Sequence, residues 1–180
     1  ARLPRLRRRL LVARADALER PSPVAGASPR AAFAEADADG AEAEDRPPAT
    51  RLARALAEGR FVVSVEIDPP RSIRIDRTLE AARLLRDVGT DVVNISDSAM
   101  ARVRMGAMAV AFGVQHDVAV ECVVHTTTRD RNLMALESEL LGAHALGVRN
   151  ILALTGDPPR VGDYPTGAGV WDVDSIGRIE

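Results

Sequence analysis

The sequence predicts an α/β protein assembled from parallel β/α units. Four runs rich in β-branched residues, FVVSVEI (61–67), DVVNISD (91–97), VAVECVVH (118–125) and NILALTG (150–156), recur at near-constant spacing. Helical patterns lie between and after them, which is the rhythm of strand, crossover helix and parallel strand. No Gly-x-Gly-x-x-Gly turn follows the first run, where a dinucleotide-binding sheet would carry one; the turn there is Asp68-Pro69-Pro70. Among parallel folds this favours a (β/α)8 TIM barrel. The four units found are about half of a barrel that takes roughly 250 residues when complete.

Each element has its own signals. RLARALAEG (51–59) is a short amphipathic helix stopped by Gly59. The first crossover helix is expected from Asp76 to Val88, with Leu79, Ala82, Leu85 and Val88 on one face and Gly89 after it. The second is expected from Met100 to Gln115, with Val103, Ala107, Val110, Ala111 and Val114 at helical spacing. The third is expected to start at Asp130 as its N-cap and to stop before Gly147, with Leu133, Leu136, Leu140 and Ala143 as its apolar stripe. Asp-Pro-Pro occurs twice, at 68–70 and 157–159, each time ending a strand, because proline cannot continue a ladder.

Residues 1–50 differ in character. They run from the basic ARLPRLRRRLLVAR through PSPVAGASPR to the acidic EADADGAEAEDRPP. With few large apolar residues they are expected to be disordered, as a linker or the tail of an upstream domain. Residues 51–180 are expected to be the folded part. The chain has 180 residues, 46% hydrophobic, and a net charge of −2, so its overall charge does not call for nucleic acid. No apolar run approaches the roughly 20 residues that span a bilayer. A single cysteine excludes an internal disulfide framework and suits a reducing cytoplasm. One Cys and three widely separated His make no metal-ligand pattern, so no metal is expected.

Alternation along the first strand sets Val62, Ser64 and Glu66 on one side and the larger apolar side chains on the other. Glu66 is then expected to point into the barrel. Asn94 and Ser96 share a face of the second strand, as do Glu121, Val123 and His125 of the third. The fourth ends in Thr155-Gly156-Asp157. The steps from Glu66 to Asp97, His125 and Asp157 are 31, 28 and 32 residues, one unit each, so polar groups gather at one end of the sheet. Barrel enzymes build their sites there. Each group also has a plainer use. Glu66 could pair with Arg71, Asp97 could pair with Arg102, His125 could be a hydrogen-bonded core residue, and Asp157 could simply make a turn. Met105 and Met108 read as core filler. Cys122 lies on the face opposite His125, against a Cys-His nucleophile.

FVVSVEIDPPR, HTTTRDRN, LLGAHALGVRNILALTGDPP and GDYP…VWDVDSIG, in that order and spacing, resemble the methylenetetrahydrofolate reductase family. The closest likeness is to the reductase part of bacterial proteins fused behind a homocysteine S-methyltransferase, from about Leu52 onward, in truncated form. The resemblance implies reduction of 5,10-methylenetetrahydrofolate to 5-methyltetrahydrofolate, feeding methionine synthesis, with FAD as cofactor and NADH or NADPH as hydride donor. It further implies a cytoplasmic homo-oligomer when full length, with a folate substrate. By motif position it assigns Glu66 as general acid and folate contact, and Asp157 as a catalytic, folate- and flavin-binding carboxylate. Ser96, His125, Thr155, Gly156, Trp171 and Asp172 are the further flavin contacts. Thr155 departs from members that carry Arg there. The competing expectations are a non-catalytic remnant acting as an interaction segment, and a flavin-free aldolase-type barrel. The latter would use a Schiff-base lysine, and this chain has no lysine.

Overall fold

The computed structural model describes residues 50–177. The expectations for residues 1–50 therefore lie, Thr50 apart, outside the described residues.

Helix α1 (Arg51–Ala57) is started by Thr50, whose Oγ1 accepts from Ala53 N at 2.9 Å. Three β/α units follow: β1 (Ser64–Ile67) with α2 (Asp76–Asp87), β2 (Val92–Ile95) with α3 (Ala107–Val118), and β3 (Glu121–Thr127) with α4 (Leu133–Ala145). Strand β4 (Asn150–Leu154) comes last. All neighbouring strands pair in parallel, and their spatial order is the chain order, β1-β2-β3-β4.

The register sorts the side chains into two faces. Val93, Ile95, Cys122 and Val124 turn one way and pack with Leu79 and Ala82 of α2, Val110, Ala111 and Val114 of α3, and Ala143 of α4. Cys122 and Val124 are fully buried there, as are the three α3 residues. Met105 and Met108 pack against this core, as the sequence suggests. Ser64, Glu66, Asn94, Val123 and His125 turn the other way. Sequential order with helices on one face is the arrangement of a barrel wall. A doubly wound sheet reverses its strand order and covers both faces.

Several boundaries differ from expectation. The second helix begins at Ala107, not Met100, because Ser98, Met100 and Ala101 all take left-handed backbone angles (φ 48°, 58° and 52°) that no α-helix continues. Val103 is accordingly exposed. The N-cap of α4 is Asn132, whose side chain accepts from Ala135 N at 2.9 Å; Asp130 is instead drawn to Arg129. Leu133 and Val88 lie outside the apolar stripes, 42% and 79% exposed. The third strand starts three residues late, since α3 runs to Val118 and Ala119 turns the chain with φ 60°. The ends of the other three strands are also shorter than the apolar runs.

Candidate active site

The inner face is built in rows. Glu66 stands beside Asn94, which stands beside Val123 and then Asn150. One same-face step further along is a second row. Ser96 donates from Oγ to Asp68 Oδ1 at 2.5 Å, and His125 pairs in register with Leu152. Glu66 and His125 are thus two strands apart and one step along, about 10 Å across the sheet and about 7 Å along it. Asn94 fills the interval, and its amide donates to Ser64 Oγ.

The two ionisable groups of this face differ in exposure. His125 is buried at 9% exposure, while Glu66 is exposed. Neither has a hydrogen-bond or ion-pair partner among the described residues. Arg71 does not pair with Glu66; it binds Asp163, with Nη2 donating to Oδ2 at 2.8 Å. The described residues therefore leave Glu66 in water.

The strand ends are stitched by buried charge. Asp97 is 7% exposed and pairs with Arg131 at 2.7 Å, not with Arg102. Its Oδ2 also accepts from Thr127 N and Oγ1. Arg129, 2% exposed, grips Asp130 and donates from Nη1 to the Asp157 carbonyl at 3.1 Å. The Asp130 carboxylate raises the Arg129 pKa, against the opposing effect of burial.

At the end of β4, Thr155 Oγ1 accepts from Ser175 N at 3.1 Å. Gly156 takes φ +90°, and a Cβ there would meet Thr127 at 3.0 Å, so both conformation and closeness favour glycine. The Asp157 carboxylate accepts from Met100 N at 2.8 Å. The late loop crosses the end of β3, with Val170 N donating to Arg129 O at 2.7 Å. Trp171 is 54% exposed, with its indole edge over Gly169. Asp172 accepts from Leu133 N at 3.2 Å, at the first turn of α4.

The structure thus brings Ser96 and His125 together in one row, with Glu66 one row back, and puts Thr155-Gly156-Asp157 on the adjacent strand end. Ser96, Thr155, Asp157 and Asp172 each also make a side-chain hydrogen bond within the protein. Sequence reasoning missed Asp68 and Arg129 as parts of this end, and it placed Asn94 on the Ser96 face without giving it a role. Arg129 stood inside the HTTTRDRN motif without a role.

A recess of about 350 Å³ opens between the loops after β2, β3 and β4, around Ser98, Arg102, Val103, Arg129 and Tyr164. Another of about 330 Å³ lies at the opposite end, around Arg51, Glu121 and Asn150, away from the converging strand ends. Among the described residues no group of three or more His, Cys, Asp or Glu is placed to hold a metal ion, and no helix is long and apolar enough to cross a membrane.

The sequence profile of the family described as methylenetetrahydrofolate reductase matches residues 51–172. A protein of Oryza sativa subsp. japonica named "Probable methylenetetrahydrofolate reductase (NADH)" is 28% identical over 110 residues, which are 61% of this chain and 18% of the rice protein. The chain therefore spans less than a fifth of the length of that curated relative.

Proposed function

The chain belongs to the methylenetetrahydrofolate reductase family, and from that premise we propose that it carries the proton-donating part of a flavin-dependent reduction of 5,10-methylenetetrahydrofolate by NAD(P)H. The single observation behind this reading is the inner-face pair Glu66 and His125. Both are ionisable, both turn away from the helices, and neither is engaged by another described residue. A buried histidine is ordinarily hydrogen-bonded, and the exposed Glu66 carboxyl is open to a ligand on the same face.

The residues suit a flat heterocycle with polar edges. His125 offers an imidazole without a partner among the described residues, Ser96 a hydroxyl beside it, and Gly156 a backbone with no side chain at the strand end. These residues, with Thr155 and the exposed Trp171 and Asp172 of the late loop, would hold FAD. The chemistry FAD would supply there is relay of a hydride from NAD(P)H to the one-carbon unit of the folate.

Glu66 supplies the proton. Opening the five-membered folate ring breaks a carbon–nitrogen bond, and the departing nitrogen takes a proton from the carboxyl. A pterin seated on the inner face strips water from Glu66, and burial favours the neutral, proton-carrying carboxyl. Asn94, next to Glu66 in the row, offers an amide to fix the ring's orientation. Asp157 stands at the β4 end as a carboxylate to steady positive charge on the opened folate. The reading includes closure of the sheet into a barrel, which is supported by its sequential strand order.

The test is Glu66→Gln. Bound-flavin absorbance and flavin reduction by NADH should stay near normal, while folate reduction falls by at least about 100-fold, the usual contribution of a general acid. Unchanged folate turnover removes Glu66 as the acid. A colourless protein that takes up no added FAD removes the flavin reading.

A further inference from the structure

The loops that follow β1, β2 and β4 are joined at the strand ends by a single side chain, Asp163. Its Oδ2 accepts from Arg71 Nη2 at 2.8 Å, in the loop after β1, and from Val103 N at 2.9 Å, in the loop after β2. Its own N–H donates to Ala101 O at 3.2 Å. Gly162, just before it, lies so close that a Cβ would fall 1.9 Å from Ala101 O. Asp163 therefore grips the C-terminal end of the Ser98–Val103 turn through both its backbone and its side chain. Ser98, Met100 and Ala101 in that turn are all left-handed and none is glycine, a conformation that persists only when surrounding contacts impose it.

The turn also reaches Asp157: Met100 N donates to the Asp157 carboxylate at 2.8 Å. Asp157 and Asp163 thus bracket the same turn from one loop, Asp163 by holding its far side and Asp157 by receiving the N–H that this holding aims. We propose that Asp163 is a positioning residue for Asp157, acting through the Ser98–Val103 turn. The importance of Asp157 to turnover rests on the reductase reading above; the mechanical link does not.

The link predicts a remote effect that a local contact would not have. In the full chain, Asp163→Ala should speed amide hydrogen exchange at Met100 as well as at Val103, each by about tenfold or more, the loss of roughly one hydrogen bond's worth of protection. Core amides such as Val110 and Val124 should keep their protection. Asp163→Asn retains an acceptor oxygen for Val103 N and should restore Met100 to within about threefold of the unaltered protein. If the Ala variant does not fold, Asp163→Ser, too short to reach Val103 N, gives the same readout. Faster exchange at Val103 with Met100 unchanged overturns the proposal, and so does a Met100 effect that Asn fails to restore. Failure of the reductase reading would appear instead as absent folate turnover in the unaltered protein, with these exchange rates unaffected.

Discussion

The Arg131 guanidinium donates to Asp97 Oδ2 at 2.7 Å, and that same buried oxygen collects the Thr127 amide at 2.9 Å and hydroxyl at 3.0 Å. One carboxylate thereby ties the end of β2 to the end of β3 and to the chain entering α4. A second bond from Arg131 to Glu139, also 2.7 Å, fixes the guanidinium against α4.

Removing the anion leaves a largely buried cation short of a partner. Asp97→Ala should therefore cost about 3 kcal/mol, the low end for breaking a buried pair from one side, since Glu139 still partly serves Arg131. Arg74→Ala, which breaks the exposed Arg74–Asp76 pair, should cost under about 1 kcal/mol. Urea unfolding with unchanged m-values measures both; equal losses would show that Asp97 is not a structural tie.

At the opposite end of the sheet, Glu121 receives Arg51 N at 2.9 Å, Leu52 N at 3.2 Å and Asn150 Nδ2 at 2.7 Å. Burial alone would raise its pKa, but these donors and the Thr50 hydroxyl outweigh it and the net shift is downward. A carboxyl depressed in the folded state contributes stability that is fully present above its unfolded value, near 4.5, and is lost as pH falls through the lower folded value. Asp91, lowered first by the Val63 amide and then by Arg60, acts with the same sign from a lower starting value, near 3.8, as does Asp163. Stability should therefore be flat above about pH 6 and fall below about pH 4.5, and Glu121→Gln should flatten that fall. Unfolding midpoints in urea across this range decide the matter; an unchanged acid slope would rule out Glu121 as its source.

Cys122 sits in the α3-facing core, where burial pushes its thiol up to about 12, with the Glu121 charge adding to the effect. The thiolate is the reactive form. Labelling by a thiol-specific disulfide reagent at neutral pH should thus proceed only as fast as the protein opens, and should accelerate sharply in denaturant. Rapid labelling of the native chain would contradict the packing.

Gly156→Ala should destabilise more than Gly89→Ala. Both glycines have positive φ, +90° and +87°, so both substitutions carry conformational strain of about 1 kcal/mol. Only at Gly156 would the added carbon also meet Thr127 at 3.0 Å, whereas nothing lies within 4 Å at Gly89. Thermal midpoints of the two variants separate strain from crowding; equal shifts would show that the close approach at Gly156 carries no cost.

The sequence by itself determined the units and their faces. Apolar and polar residues alternate along each strand, so Glu66, Asn94 and His125 could be set on one side and Cys122 on the other, and parallel pairing left only one end for the polar groups to share. Helix limits were less legible. The helical spacing from Val103 onward was real, but a left-handed turn cancels its first part, and no local pattern encodes that turn. The tertiary structure alone decided which partners the charges take: Asp97 takes Arg131, Arg71 takes Asp163, and Asp157 takes the Met100 amide. Such pairings depend on where loops after different strands meet in space. Charged side chains on connecting loops carry no periodicity, so nothing in the order of residues announces which will be brought within reach.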